Sequence, residues 1–200
     1  MTVFIATMKP RGEWAKKPNV PNLILLNVTS AQRKNHPNRI NFSPMTVLPN
    51  TYKGFACFEN YYQSHKVYDG IHHHISKQWW KSQTVGKRKC QLKKAHKVLY
   101  SDFGDGIKRN LIESRKYCYV PEYYNLVKSH INKYVDMHKA GHNIIIYSFD
   151  GPKTIDNEPQ CLEITKDLLI NKINYNKHAF GHGYIIAAAI AGIYPNDYIL

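Results

Sequence analysis

The chain has 200 residues, of which 43% are hydrophobic, so one core of ordinary size can form without disulfide bonds or metal ions to hold it together. Lysine and arginine number 28 against 14 aspartates and glutamates, which gives a formal charge of +14 with histidine neutral. Solubility alone does not require so large a charge, and an anionic partner that carries phosphates is favoured. The alternative is a codon bias toward lysine, asparagine, isoleucine and tyrosine.

Other sequence features indicate a protein of the cytoplasm that needs no cofactor and no membrane. The cysteines are scattered in no metal-binding spacing, so we expect four reduced thiols: Cys57, Cys90, Cys118 and Cys161. The stretch from Val3 to Ala6 is too short for a signal peptide, and no apolar run reaches the roughly 20 residues of a membrane span. Three consecutive histidines, 72–74, cannot all face one ion from a helix, so surface histidines on a loop are favoured.

Two strands are predicted, and we expect both in one small sheet. Leu23 to Val28 is the only continuous apolar run in a first part of the chain that is rich in proline and asparagine. Ile144 to Phe149 follows Gly141 and ends at the turn sequence Asp150-Gly151-Pro152.

Most of the remaining chain is predicted to be helical. The clearest helix runs from Pro121 to Ala140, with an apolar stripe on one face and Gly141 at its end. The other helices are Phe58 to about Tyr68, Val85 to Tyr100, Ile107 to Tyr117, a helix capped by Thr165, and a last helix from Gly183. Together with the sheet they predict a single, mainly helical α+β domain over residues 1–200, in which 1–40 form an extension with one strand and 41–200 form the core.

A block of basic residues lies between Asp69 and Asp102, where the sequence has no acidic residue. Eight cations fall there: Lys77, Lys81, Lys87, Arg88, Lys89, Lys93, Lys94 and Lys97. A codon bias would scatter lysines among acids, whereas this basic block creates a local positive field that attracts anions. We interpret it as a partner-facing surface rather than a merely solvated one.

Four polar residues share one face of the predicted helix that starts at Phe58. Glu59, Tyr62, Gln63 and Lys66 are spaced i, i+3, i+4 and i+7. On a surface such a stripe is ordinary. In the wall of a cleft it supplies a general acid or base, two orienting groups and a partner for phosphate or carboxylate, and the spacing leaves both possibilities open.

The same segment carries a resemblance to a known family. Asn41-Phe42-Ser43-Pro44 followed by FENYYQSHKVYDG is similar to the start of the NADAR domain, where an F-S-x-F element precedes a helix with E-x-x-x-Q-x-x-K. The order also resembles uncharacterised phage proteins with an FSP element and an EG-x-WQ-x-LK helix, for which the location would be the host cytoplasm. The specific part of the resemblance covers fewer than about thirty residues.

The resemblance implies a mainly helical α+β fold and cleavage of an N-glycosidic bond in a phosphorylated, nucleotide-like substrate. Its motif places Glu59 and Lys66 in the pocket, with Gln63 and the element of Asn41, Phe42 and Ser43 beside them.

The expected chemistry fits these residue types. Cleavage of an N-glycoside passes through an oxocarbenium-like state, which needs a carboxylate near the anomeric carbon. Glu59 and Asp150 are the candidates for this carboxylate. Lys66 and the basic block, with Lys87 and Arg88 at its centre, would bind phosphates.

Two further segments are candidates for substrate contacts. Trp79 or Trp80 could stack on a base, although a pair with one buried and one half-exposed member is the more ordinary expectation. His182 lies in Phe180-Gly181-His182-Gly183 at a helix start, where exposed N–H groups can bind phosphate. A plain turn is an equally good interpretation of this segment.

A second function competes with the enzyme. In it the protein is a non-catalytic binder of DNA or RNA, with the basic block on the phosphate backbone and aromatic side chains stacked on bases. A pocket around Glu59 and Lys66 favours the enzyme, and an open basic groove favours the binder.

Overall fold

The computed structural model describes residues 1–9, 12–94 and 97–199, and it has an α+β fold. Two compact units are present: unit 1 comprises Met1–Ser43 with Val120–Leu200, and unit 2 comprises Pro44–Tyr119. The elements are, in chain order, β1 (Val3–Thr7), β2 (Leu23–Asn27), α1 (Pro37–Phe42), α2 (Phe58–Ser64), β3 (Lys66–Tyr68), α3 (His73–Lys81), β4 (Val98–Ser101), α4 (Leu111–Ser114), a π-helical turn (Arg115–Tyr119), α5 (Val120–Lys139), β5 (Asn143–Ser148), β6 (Cys161–Glu163), α6 (Lys166–Asn174), α7 (His182–Ile190) and α8 (Pro195–Tyr198).

Unit 1 is built on a mixed four-stranded sheet in the order β2-β5-β1-β6. β1 and β2 both pair with β5 in parallel, and β6 pairs with β1 in the antiparallel sense. All six residues of β5 are buried, as expected of a central parallel strand covered on both faces. The prediction that the runs from Leu23 and Ile144 share one sheet is confirmed.

Strands β1 and β6 were not predicted. β1 is a five-residue strand beside β5 that begins with four apolar residues, and its Ile5 pairs with Ile146. A short apolar run without periodicity does not by itself distinguish a strand from other structure, and only the pairing with β5 makes it one. β6 has three residues, too few to show a pattern.

The long helix and the two helix starts of unit 1 agree with the sequence analysis. α5 has Pro121 in its first turn and ends two residues before Gly141, which has a positive φ of 104°. Thr165 caps α6, because its hydroxyl accepts a hydrogen bond from the Leu168 amide at 3.1 Å. α7 is buried from Gly183 to Ile190 and packs on β1, β5 and α5.

Gly183 allows α7 to approach β5 closely. A Cβ at this position would lie 2.5 Å from the Cβ of Ser148 and 2.8 Å from its hydroxyl oxygen. Both residues are buried, so neither can move aside into solvent.

We expect Gly183→Ala to lower the free energy of unfolding by about 1–3 kcal/mol, because the added methyl group overpacks a filled interior. The sign is informative, since the same change at an unhindered helical site stabilises by about 0.5–1 kcal/mol. Urea unfolding of the single variants and of Gly183→Ala with Ser148→Gly measures the coupling between the two positions. A stabilising Gly183→Ala, or no relief in the double variant, would contradict the close approach.

Unit 2 contains α2, α3, α4 and the two-stranded antiparallel sheet of β3 and β4. The prediction that the first of these helices continues to Tyr68 is wrong. α2 ends at Ser64, and Lys66 and Val67 pair instead with Ser101 and Tyr100 of β4. The β-branched and aromatic side chains after Lys66 fit this pairing, which the helical period of the polar stripe had obscured.

The other two helix predictions in unit 2 fail for local reasons. The segment from Val85 to Tyr100 is irregular as far as it is described up to residue 94, and β4 begins at Val98; residues 95 and 96 lie outside the described ranges. Helix structure over 107–117 begins only at Leu111, because the Asn110 side chain caps that end together with Glu113.

The cysteines are free thiols in the structure, as predicted. No helix within residues 1–9, 12–94 and 97–199 is long and apolar enough to cross a membrane.

Candidate functional site

The residues proposed from the sequence fall in both units. Unit 2 contains Glu59, Tyr62, Gln63, Lys66, Trp79, Trp80, Lys87 and Arg88. Unit 1 contains Asn41, Phe42, Ser43, Asp150 and His182.

Glu59 and Gln63 lie one turn apart on α2, and their side chains are hydrogen-bonded to each other. The Gln63 side-chain amide donates a hydrogen bond to Glu59 Oε1 at 2.8 Å, and both residues are half-buried. Glu59 is in the first turn, where the helix dipole favours a carboxylate, and its backbone amide donates to the Pro44 carbonyl at 2.8 Å. The carboxylate is thus fixed in position while part of its surface remains accessible.

Lys66 joins this pair from β3 rather than from the helix. Its Nζ lies 5.6 Å from the centre of the Tyr62 ring. Burial lowers the pKa of Lys66, and the nearby charge of Glu59 opposes that shift. Glu59, Gln63 and Lys66 do come together as expected, but α2 carries only the first two and Lys66 belongs to β3.

Tyr62 forms the floor of the cluster. It is 6% exposed, and its hydroxyl and that of Ser114 are 2.9 Å apart. Burial raises the pKa of the Tyr62 phenol to about 12, against the opposing hydrogen bond from Ser114. Its ring packs edge-on against Tyr119 at 4.9 Å. Tyr62 therefore supports the cluster and presents little surface to a ligand, contrary to its expected role as a substrate contact.

Arg115 is a member of the cluster that the sequence analysis missed. It is 7% exposed at the first position of the π-helical turn. Its charge adds to the lowering of the Lys66 pKa by burial and opposes the rise of the Tyr62 pKa that burial causes. Such turns are rare and often occur at functional sites. In the sequence Arg115 stands beside other charged residues in a predicted helix, and nothing in that pattern indicates that its side chain is buried. Two cations thus accompany the carboxylate of Glu59, a set that suits an anionic ligand.

His65, at the end of α2, gives unit 2 a pH dependence. It is 4% exposed, its Nδ1 lies 2.8 Å from the Tyr61 carbonyl oxygen, and its ring stacks on Phe103 at 4.7 Å. Burial lowers the pKa of His65 from 6.5 to about 4.

Because the unfolded chain binds a proton at His65 below pH 6.5 and the folded chain does so only near pH 4, stability should fall as the pH drops through this window. The full effect of His65 is at most about 3 kcal/mol. Urea unfolding of the wild type and of His65→Phe at a series of pH values isolates it, and the variant should lose less stability over the window. Equal losses in the two proteins would show that His65 is not the titrating group.

The middle of the basic block is held against α2. The buried Asn60 side chain donates to the Val85 carbonyl and accepts from the Lys87 amide, each at 2.9 Å. No helix forms at residues 85–87, because the backbone groups of Val85 and Lys87 bond to Asn60 instead of to a helix. Gly86 between them packs closely against the Met45 backbone. Lys77 and Lys87 are half-buried, and the exposed members are Lys81, Arg88, Lys89, Lys93, Lys94 and Lys97.

The two tryptophans of α3 have different environments. Trp80 is fully buried at 0% exposure, so its side chain belongs to the core and offers no face to a base. Trp79 is half-buried and packs edge-on against it at 4.8 Å. The ordinary expectation of one buried and one half-exposed ring is confirmed.

In unit 1 the element around Phe42 is structural at its centre. Phe42 is 0% exposed, its ring lies 6.0 Å from Tyr134, and its carbonyl accepts a hydrogen bond from the Tyr123 hydroxyl at 2.6 Å. Its predicted contact with substrate is not available in this arrangement. Asn41 and Ser43 on either side are half-buried.

The start of α7 already faces a carboxylate of the chain itself. A Cβ at Gly181, the N-cap, would lie 2.6 Å from Asp150 Oδ2, so the carboxylate sits against the positive end of the helix. A phosphate would have to displace it. His182 Nε2 donates to the Val28 carbonyl at 2.9 Å, so that ring nitrogen has a structural partner. Asp150 and His182 therefore already have partners within unit 1.

No group of three or more histidine, cysteine, aspartate or glutamate side chains suited to a metal ion occurs among the described residues. The chain was also compared with models of known protein families, with curated proteins and with solved structures, and none of these comparisons found a match.

Proposed function

We propose that the protein is a NADAR-like N-glycosidase that hydrolyses a phosphorylated ribosyl compound, either free or attached to nucleic acid. The observation that carries the proposal is the cluster of Glu59, Gln63, Lys66 and Arg115 in unit 2. In it a fixed, half-buried carboxylate lies beside two partly or fully buried cations, which is the set of charges that such a substrate requires.

The proposed reaction breaks the bond between C1′ of the ribose and the base nitrogen. Glu59 stabilises the positive charge that develops on C1′ and the ring oxygen, and Gln63 keeps its carboxylate oriented. Water then bonds to C1′, with one of its protons passing to solvent and the departing base nitrogen gaining a proton. Lys66 and Arg115 hold the phosphate of the substrate.

The proposal is tested by measuring free base released from ADP-ribosylated guanosine and from a ribosyl-pyrimidine phosphate. Chromatography separates the released base from the substrate. Turnover by the wild-type protein on either compound supports the proposal. Failure to release base from any ribosyl N-glycoside shifts the choice to the binding protein described next.

The exposure of the basic block supports a second candidate function, binding of nucleic acid without catalysis. Five of its six exposed cations lie on irregular chain that follows Val85, whose carbonyl accepts a hydrogen bond from Asn60. Aromatic rings with cations against them lie in the same unit. Lys53 Nζ is 4.8 Å from the centre of the Tyr61 ring, and Lys81 Nζ is 5.9 Å from that of Phe55. Basic surface interleaved with aromatic rings is typical of single-strand binding.

Reversing Lys87, Arg88 and Lys89 to glutamate should weaken binding of a labelled oligonucleotide at least ~10-fold and flatten its dependence on salt, because fewer counterions are released. Titrations at two salt concentrations measure both effects. The matched control is the triple reversal of Lys128, Lys133 and Lys139 on α5, which carries the same change in net charge. Equal losses in the two variants would mean that only the total charge matters.

A further inference from the structure

A cavity in unit 1 lies between the chain that follows β5 and the end of α6. Its volume is 510 Å³, within the range of about 300–1,000 Å³ that small-molecule sites occupy. Residues 153–155 form one side of it, and the stretch from Asn171 to His178 forms the other.

The lining of this cavity has cations and no carboxylate. Lys153, Lys172 and Lys177 all line it, and none of them forms an ion pair within the described ranges. Lys172 is in the last turn of α6, where a cation also offsets the negative helix end, but Lys153 and Lys177 lie outside any helix. The helix dipole therefore accounts for Lys172 alone and not for the presence of Lys153 and Lys177 in the same cavity.

Two other cavities of unit 1 provide a comparison. One includes Asp136 with its lysines, and the other includes Glu13 and Glu158 with Lys16. Each of these has charges of both signs in its lining, as on an ordinary surface. The cavity at the end of α6 departs from that pattern, and its field favours an anion.

An aromatic pair lines the same cavity. Tyr175 and His178 stack with ring centroids 5.2 Å apart and an interplanar angle of 17°. Tyr175 is 41% exposed, so much of its surface is accessible. Aromatic rings of this kind stack on nucleobases, and Thr154 and Asn171 add hydrogen-bonding side chains to the lining.

We propose that this cavity binds a nucleoside phosphate, with the phosphate held by Lys153 and Lys177 and the base against Tyr175 and His178. The cavity belongs to unit 1 and the cluster around Glu59 to unit 2, and the proposal does not depend on the glycosidase function. The bound nucleotide is either free or one unit of a strand, since both present the same phosphate and base.

The test uses the full chain carrying Glu59→Gln and measures binding of AMP by calorimetry. Lys153→Glu with Lys177→Glu should weaken AMP binding at least ~10-fold, because two phosphate contacts become repulsive. Tyr175→Ala should weaken AMP about fivefold and leave ribose 5-phosphate unchanged, because only AMP has a base to stack. The His178 ring protons should shift in NMR spectra when AMP is added.

The matched control is Lys128→Glu with Lys139→Glu, which makes the same change in net charge at the cavity that contains Asp136. It should change AMP binding less than about twofold, as expected for exposed, screened charges that do not line the proposed cavity. Equal weakening by both double variants, or AMP binding no tighter than ribose 5-phosphate, would overturn the proposal. A short oligoadenylate titrated in parallel distinguishes the sources: tighter binding than AMP indicates a strand, and weaker binding indicates a free nucleotide.

Discussion

Replacing Glu59 by glutamine should lower the rate of base release at least ~100-fold while leaving thermal unfolding nearly unchanged. Glutamine keeps the shape of the side chain and can still hydrogen-bond to Gln63, but it removes the negative charge that stabilises an oxocarbenium-like state. The loss should appear in kcat, because the charge on the sugar develops only as the bond breaks. Initial rates on ADP-ribosylated guanosine and a melting curve of the same sample measure the two quantities.

Glu163→Gln is the matched control for this experiment. Glu163 is exposed on β6 and lies in the other unit, so the variant should retain full activity. If Glu59→Gln were fully active, Glu59 would have no catalytic role. If it instead lost stability in proportion to activity, its function would be to hold the start of α2.

Trp80→Ala should reduce the free energy of unfolding by about 3–5 kcal/mol, the usual cost of truncating a large buried aromatic side chain. Trp80 is among the largest fully buried side chains of the protein, and its removal leaves a cavity that the surrounding chain can fill only in part. Chemical denaturation of the wild type and the variant, followed by circular dichroism, measures the change.

Trp79→Ala provides the comparison within the same helix. Trp79 is half-buried, so its truncation should cost about 1 kcal/mol or less, in keeping with substitutions outside the core. Similar costs at both positions would contradict the arrangement of α3. A folded Trp80→Ala protein that had lost only ligand binding would return Trp80 to the role of a stacking residue.

The sequence predicted the fold best where local pattern and tertiary structure agree. The strands at Leu23 and Ile144 are bounded by turn residues, and α5 has proline at its start and glycine after its end. The apolar run of β1 went unrecognised because its identity depends on a partner about 140 residues away. No local rule contains that information.

The site was predicted in composition but not in geometry. Glu59, Gln63 and Lys66 do come together, although Lys66 reaches the others from a strand that pairs with β4. The helical spacing predicted that Lys66 lies near Glu59 and Gln63, but it does so from β3 and not from the same helix. Arg115 could not have been found, because its burial depends on a π-helical turn whose register no sequence period marks.

The connectivity of the two units has a consequence for the order of folding. Unit 2 is one continuous stretch, Pro44–Tyr119, so all of its contacts are available before β5 has been synthesised. β1 is made first, but both of its neighbours, β5 and β6, come from the last third of the chain. During translation β1 must therefore stay unpaired, with its apolar side chains exposed, until residue 148 has left the ribosome. Chaperone binding to a stalled nascent chain should consequently concentrate on β1 and end once β5 emerges.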